Sequence, residues 1–182
     1  MLISYWRFAL SNPRFLGFGF LLAFLSSAGQ TYFLGVFGAD IQAEFALDAG
    51  SWGRIYMIGT LASAVLINWS GALIDRLDLR VFTTLALFGL AGACLVMASV
   101  TSPALLVVAI FLLRQFGQGL CSHAGMTSMA RYHDVDRGKA IALAAIGFAC
   151  GEATLPVAGL FAAAAFGWRN TFFVVALVVL AS

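Results

Sequence analysis

The sequence predicts an all-α membrane protein that crosses the bilayer six times, with the sixth helix incomplete. Of its 182 residues, 62% are apolar and 10% are charged, against roughly half and a quarter in soluble proteins. The charges are also clustered. The segment GALIDRLDLR at 71–80 holds four of them, whereas Ile55–Ile74 before it and Val81–Leu113 after it hold none. A soluble fold is excluded, because this chain has too few polar residues to cover a water-facing surface.

The uncharged run at 15–39 and those at 55–74 and 81–113 are each long enough for a membrane span, which needs about 20 mostly apolar residues. A polar segment at 40–54 separates the first two runs. Pro103 divides the long run after Arg80, because proline fits the first turn of a helix and disfavours helix before it. The six spans are predicted near 15–39, 52–73, 81–100, 103–129, 140–165 and 171–182.

The two ends of the chain need separate interpretation. From Thr171 to Ser182 a helix would rise only about 18 Å, which is too short to cross, so we interpret the chain as a fragment. At the other end, Arg7 and Arg14 before an apolar run could form a signal peptide with a cleavage site at 26–28. We favour a membrane span, because the apolar run continues to Ala39.

The basic residues predict the orientation, because they favour the cytoplasmic side of short loops. With six spans, Arg54 and Arg169 fall on one side. The other side carries Arg7, Arg14, Arg76, Arg80, Arg131, Arg137 and Lys139. The N-terminus and the charged segment at 71–80 are therefore expected to be cytoplasmic, in a bacterial-type inner or plasma membrane.

Two charged residues lie inside predicted spans. Arg114 follows Pro103 by 11 residues, about 16 Å of helix, and Glu152 follows Lys139 by 13 residues, about 20 Å. Both are therefore expected near the middle of the membrane, where a charge costs at least ~2.5–3.5 kcal/mol. A direct or water-bridged ion pair between them is one hypothesis. The other is that at least one lines a polar cavity and binds a substrate or a proton.

Uncharged polar residues and glycines add candidates. Gln118 lies one helical turn from Arg114 on the same face, and Gln30 and Asn68 lie at membrane depth in the first two spans. Such residues more often form interhelical hydrogen bonds than bind ligands. Gly147 and Gly151 form a GxxxG pattern that permits close packing of the fifth span against a neighbour.

Histidines, cysteines and aromatic residues are interpreted as structural. His123 and His133 have no second histidine at metal-binding spacing, and the three cysteines contain no CxxC pattern. No metal site and no cofactor are therefore predicted. The aromatic residues near the predicted outer ends are assigned to an interfacial belt; these are Tyr32, Trp52, Tyr56 and Trp168.

The charged segment at 71–80 resembles a signature of the major facilitator superfamily. In that family a Gly-x-x-x-Asp-Arg turn and a following basic residue join the second and third helices, and Gly71, Asp75, Arg76 and Arg80 fall on this pattern. Three other stretches resemble the family in order and place. They are the first outer loop GVFGADIQAEFALDAGSWG, the fifth-helix stretch RGKAIALAAIGFACGEATLPVAG and the sixth-helix opening GWRNTFF. Arg114 falls where many members have an arginine in the fourth helix.

The resemblance implies an N-terminal six-helix half of a twelve-helix secondary transporter, built from inverted three-helix repeats. No repeat is visible in the sequence itself. The turn with Gly71, Asp75, Arg76 and Arg80 would act as a gate that closes against the missing C-terminal half. The resemblance thus implies a small-molecule substrate, the lipid bilayer and that second half as partners. At a net charge of +2 no nucleic-acid partner is predicted.

The expected function is transport of a small solute by alternating access. Arg114 would attract an anionic group and Glu152 would carry or relay a proton, which indicates an organic anion such as a monocarboxylate with ion or proton coupling. One alternative is a proton-driven drug-type exporter, because Gly147 and Gly151 keep part of the family's antiporter pattern. Another is a non-transporting scaffold or sensor of the same fold. An enzyme is not expected, because the sequence has no nucleophile–base pair, metal cluster, phosphate loop or cofactor fingerprint.

Overall fold

The computed structural model of the protein describes residues 2–133 and 135–182, with side chains from residue 7 onward. Within these ranges the chain is helical and has no β-strand. A short N-terminal helix, Leu2–Ser11, precedes the spans. Five helices are long and apolar enough to cross a membrane, and a sixth is shorter. The spans are Pro13–Val36, Ala49–Asp75, Leu79–Ala98, Pro103–Tyr132, Arg137–Phe166 and Trp168–Ala181, numbered one to six below.

The links supply the signals that begin several spans. Asp48 precedes span 2 and its side chain accepts a hydrogen bond of 2.6 Å from the Ser51 amide. Asp78 does the same for the Arg80 amide at the start of span 3. Ser102 caps span 4, in which Pro103 is the first residue. These contacts satisfy amide groups that a helix leaves without partners at its N-terminus.

The link between spans 1 and 2 contains a short helix. It covers residues Gly38–Glu44 and so overlaps the start of the polar segment at 40–54. The Gln42 side chain supports this helix by donating a hydrogen bond of 3.0 Å to the Gly38 carbonyl. The helix ends near Ala46, whose φ of 50° lies in the left-handed region. This short helix places Glu44 close to the start of span 6.

The two central spans both depart from regular α-helix. Span 1 changes to a tight 3₁₀ turn at Ser26–Gly29 and then passes through an extended residue, Gln30. Span 4 widens to a π-helix at Arg114–Cys121. The two irregular segments contact each other. π-Helical stretches are rare and often mark functional sites.

The packing of the spans has an internal symmetry that the sequence does not display. Span 1 packs along span 5, and span 4 packs along span 2. Spans 3 and 6 pack together, and spans 1 and 4 meet at the centre. Exchanging spans 1, 2 and 3 with spans 4, 5 and 6 therefore leaves this pattern unchanged. The six spans are therefore arranged as two three-helix repeats.

Large apolar side chains cover the outside of the bundle, as expected of a protein in a lipid bilayer. Many of them are on spans 2 and 5, which pack only one side against the rest of the bundle. The most exposed on these two spans include Met57, Leu61, Val65, Trp69, Leu160 and Phe161. The chain is therefore an integral membrane protein.

Candidate functional site

Arg114 lies at the centre of the bundle, where spans 1 and 4 meet. Its residue is only 8% exposed. One terminal nitrogen donates hydrogen bonds to the Gly29 carbonyl at 3.2 Å and to the Thr31 hydroxyl at 3.1 Å. The buried Nε–H group has no hydrogen-bond partner. The 3₁₀ turn of span 1 ends at Gly29 and presents that carbonyl to the guanidinium.

Tyr56 forms a second part of this site. The Arg114 guanidinium lies 5.7 Å from the centre of the Tyr56 ring, within the range of a cation–π interaction. The Tyr56 hydroxyl donates a hydrogen bond of 3.1 Å to the Thr31 hydroxyl. Sequence reasoning assigned Tyr56 to the interfacial belt and did not single out Thr31. The structure instead places both residues against Arg114.

Of the two hypotheses for Arg114 and Glu152, the structure does not form the direct ion pair. Within residues 7–133 and 135–182, the salt bridges join other groups, and Arg114 has no carboxylate within 4.0 Å. Arg114 points to spans 1 and 2, whereas Glu152 is exposed on span 5. Glu152 is close enough to Tyr32 of span 1 for the two to interact electrostatically. The two charges thus have different neighbours: Arg114 contacts Gly29 and Thr31, whereas Glu152 lies near Tyr32.

A cavity of about 380 Å³ with several polar residues in its lining lies between spans 2 and 4, beside Arg114. Gln118 lines it, as its position one turn from Arg114 suggests. The Thr60 hydroxyl is buried without a hydrogen-bond partner, like the Arg114 Nε–H. The cavity is therefore lined by a cationic residue and by several polar residues. Its lining residues are Thr60, Ser63, Ala64, Ile67, Arg114, Gln118, Gly119 and His123.

Gln115 joins spans 2 and 4 next to this cavity and was missed by the sequence reasoning. It is 2% exposed. Its carbonyl oxygen accepts a hydrogen bond of 3.1 Å from Ser63, and its amide group donates one of 2.7 Å to Ser70. The π-helix reduces the angle between successive residues, so both Arg114 and Gln115 are buried in the bundle. Counting four residues on from Arg114, as for one turn of a regular α-helix, leads to Gln118 and does not identify Gln115.

Gln30 and Asn68 do not line the cavity. Gln30 is the extended residue at the break in span 1. Asn68 is exposed, and its side-chain amide donates to the carbonyls of Ala64 and Val65 in its own helix, at 3.0 and 3.1 Å. The structure therefore places neither of these side chains with Arg114 and Gln118.

The charged turn between spans 2 and 3 is attached to the end of span 4. Asp75 forms a salt bridge with Arg131, and Arg131 also donates a hydrogen bond of 3.3 Å to the Ile74 carbonyl. Arg76 and Arg80 are exposed. Gly71 lies beside the His123 ring, 3.7 Å from the position that a Cβ atom would take. Arg131, which the sequence indicated only as a marker of orientation, is thus part of this turn.

Gly147 and Gly151 lie on the face of span 5 that contacts span 1. A Cβ atom at Gly147 would overlap the Phe20 carbonyl and approach Ala23 to 2.9 Å. At Gly151 it would overlap the Ser27 hydroxyl. The two backbones can approach this closely only where side chains are absent.

A polar cluster joins the loops on the opposite side from the charged turn. Glu44 accepts hydrogen bonds from Arg169 at 2.6 Å and from the Trp168 indole at 2.9 Å. Arg169 also donates to the Ala98 carbonyl at 3.1 Å. The pKa of Glu44 is lowered, mainly by the hydrogen bond from Arg169. The first outer loop and the end of span 3 are thereby held to the start of span 6.

Comparison with known proteins agrees with this architecture. A family model described as Major Facilitator Superfamily matches residues 6–182. Neither the comparison with curated proteins nor the comparison with solved structures gives a significant match.

Proposed function

The chain belongs to the Major Facilitator Superfamily of secondary transporters, and we propose that it binds a small organic anion, such as a monocarboxylate, at Arg114. The observation that carries this proposal is the state of the guanidinium. It is buried, it has no carboxylate within 4.0 Å among the described residues, its Nε–H is unpaired, and its side chain lines a cavity. A buried cation is costly without a counter-charge, and a carboxylate ligand would supply one.

The geometry also supports a role for Gln118. Its side chain lines the same cavity as Arg114, and its amide can donate a hydrogen bond to the second oxygen of a carboxylate. Thr60 and Ser63 also line this cavity. A cavity of about 380 Å³ suits a small ligand at the lower end of the usual range for pockets.

Alternating access requires a second half, and we propose that a C-terminal half of the same protein completes the cavity. In this proposal the N-terminus and the charged turn face the cytoplasm, as the asymmetry of basic residues indicates. The Asp75–Arg131 pair holds the turn in place, and the exposed Arg76 and Arg80 face acidic groups of the other half. Exposed ion pairs contribute under about 1 kcal/mol each, which suits a gate that must open.

Proton or ion coupling completes the proposal. The sequence reasoning assigned the proton to Glu152, which is exposed on span 5 and does not line the cavity that contains Arg114. Gln30 and Asn68 likewise lie outside that cavity. We therefore base the anion site on Arg114 and Gln118, and leave Glu152, Gln30 and Asn68 as candidates for surfaces that face the second half.

Uptake of ¹⁴C-labelled lactate into proteoliposomes containing the full-length protein tests the anion site. Replacing Arg114 by glutamine removes the charge, and we expect uptake to fall roughly ten- to hundredfold, as for loss of a hydrogen bond to a charged group. Arg114→Lys keeps the charge and should retain part of the activity. Arg54→Gln is the matched control, because Arg54 is exposed and bonds only Ser51, at 2.9 Å.

Three outcomes would contradict the proposal. Unchanged uptake in Arg114→Gln would show that Arg114 has a structural role only. Uptake of a labelled cationic dye but not of lactate by the unmodified protein would favour a drug-type exporter. Absence of any flux would favour a scaffold or sensor.

A further inference from the structure

His123 lies in the same cavity as Arg114, toward the charged turn. The two residues are on span 4, nine positions apart, with Gln118 between them. Among the residues that line this cavity, Arg114 and His123 are the two that can carry a charge. Sequence reasoning set His123 aside because it has no metal-binding partner. Its position in the cavity gives it a different chemical context.

The contacts of His123 connect the cavity to the signature turn. Its Nδ1 atom lies 3.4 Å from the Thr127 hydroxyl, one turn further along span 4. The opposite edge of the ring, with Cδ2 and Nε2, faces Gly71, the first residue of the turn. The turn that begins at Gly71 also contains Asp75, which forms a salt bridge with Arg131 of span 4. The ring therefore lies between the anion site and the turn.

Resting on the anion site proposed above, we propose that His123 binds the proton that is transported with the anion. The neutral imidazole takes one proton from water and becomes a cation, and it returns the proton to water when the anion has left. A carboxylate bound in the same cavity favours the protonated ring, because an opposite charge favours the cation.

Coupling follows from this arrangement by linkage. If the anion favours protonation of His123, protonation of His123 must favour binding of the anion by the same factor. The anion and the proton therefore bind together and leave together, as symport requires. Glu152 would not provide this coupling as directly, because it does not line the cavity with Arg114.

Other charged groups lie around the half of span 4 that is nearer the charged turn, its inner half, and a pH dependence of binding must be distinguished from their titration. Spans 1, 2, 3 and 5 pack against this part of the chain. The charged groups at or near the inner ends of these spans and of span 4 itself are Arg14, Asp75, Arg76, Asp78, Arg80, Arg131, His133, Asp136, Arg137 and Lys139. Of these residue types, only histidine normally changes its charge between about pH 5 and pH 8. His133 is therefore the control for His123.

Equilibrium binding of ¹⁴C-lactate to the purified full-length protein tests the proposal at about pH 5.5, 6.5 and 7.5. The lactate carboxylate stays ionised over this range, since carboxylic acids titrate near pH 4. For the unmodified protein we expect the affinity to fall by up to about tenfold per pH unit as the pH rises, as for one linked proton. His123→Gln should bind with a weak affinity that does not change with pH, while His133→Gln should keep the pH dependence.

The possible outcomes separate the two proposals. A pH dependence that persists in His123→Gln, or that is absent from the unmodified protein, overturns the role of His123 while leaving the Arg114 site intact. Binding that is unaffected by Arg114→Gln, or no binding of lactate at all, overturns the anion site and the role of His123 with it. If His123→Gln fails to elute as a folded protein in size-exclusion chromatography, His123→Asn replaces it in the same assay.

Discussion

The contact between spans 1 and 4 at Gly29 gives a sharp prediction about stability. Gly29 lies at the end of the 3₁₀ turn, against the π-helical part of span 4. A Cβ atom added there would lie 2.8 Å from the Gln118 nitrogen and 3.0 Å from the Gly117 Cα, and it would overlap the Leu113 carbonyl oxygen. All three atoms belong to the backbone, so no change of side-chain rotamer relieves the overlap.

The distances indicate the size of the effect. Ordinary contacts of a Cβ atom begin at 3.4 Å, so the contact with the Gln118 nitrogen is short by about 0.6 Å. Spans 1 and 4 must separate by at least this amount, which also lengthens the hydrogen bond from Arg114 to the Gly29 carbonyl. Overpacking of this kind costs about 1–3 kcal/mol. Gly29→Ala is therefore expected to destabilise the protein and to weaken the anion site.

Gly17 provides the matched control. It lies in the regular helix Pro13–Leu25 of the same span, and no atom lies within 4 Å of its added Cβ. Gly17→Ala should be neutral or stabilising by up to ~1 kcal/mol, because alanine favours helix over glycine. Unfolding of the full-length protein by sodium dodecyl sulfate in mixed micelles, followed by tryptophan fluorescence, compares the two variants. Equal midpoints would refute the backbone contact between spans 1 and 4.

Two further predictions concern the two ends of the bundle. Because the pKa of Glu44 lies below its usual value of 4.5, the stability that Glu44 contributes is fully present above about pH 4.5 and is lost as the pH falls through the lowered pKa. Glu44→Gln should remove this acid-dependent loss of stability, which is under ~1 kcal/mol for so exposed a pair. If the loss is unchanged in Glu44→Gln, another carboxylate is responsible for it. At the opposite end, Gly71→Ala should change the unfolding free energy by no more than ~0.5 kcal/mol, because Gly71 is helical and the nearest atoms to its added Cβ are 3.7 Å away. A larger loss of unfolding free energy in Gly71→Ala would contradict the packing that the structure shows around His123. If Gly71→Ala is stable but no longer transports, glycine is required at this position in another conformation of the transport cycle.

The sequence was sufficient for the membrane-spanning architecture, because hydropathy and length decide which segments can cross a bilayer. Pro103 correctly marked the start of span 4. Counting residues along a helix predicts how far along its axis a residue lies, since each residue adds 1.5 Å. It does not give the direction of a side chain around the helix. A similar predicted depth was therefore not sufficient evidence for a direct ion pair between Arg114 and Glu152.

The remaining errors arise where the helices are irregular. The 3₁₀ turn at Ser26–Gly29 and the π-helix at Arg114–Cys121 change the angle between successive residues, so a four-residue interval does not identify the buried face. Gln115 was missed for this reason. Thr31 and Tyr56 were missed because each side chain is ordinary for a membrane protein and acquires a role only through its contact with Arg114.

These irregular segments explain how a positive charge can be held at the centre of the bundle without a carboxylate. A regular helix uses its own carbonyl groups, but the turn of span 1 presents the Gly29 carbonyl to Arg114. With Thr31 and the Tyr56 ring, this carbonyl holds the guanidinium through dipoles and leaves its net charge uncompensated. A carboxylate within the protein would stabilise the empty site and compete with an anionic ligand. Holding the cation through uncharged groups keeps that counter-charge available to a ligand, which is the physical basis of the anion site proposed here.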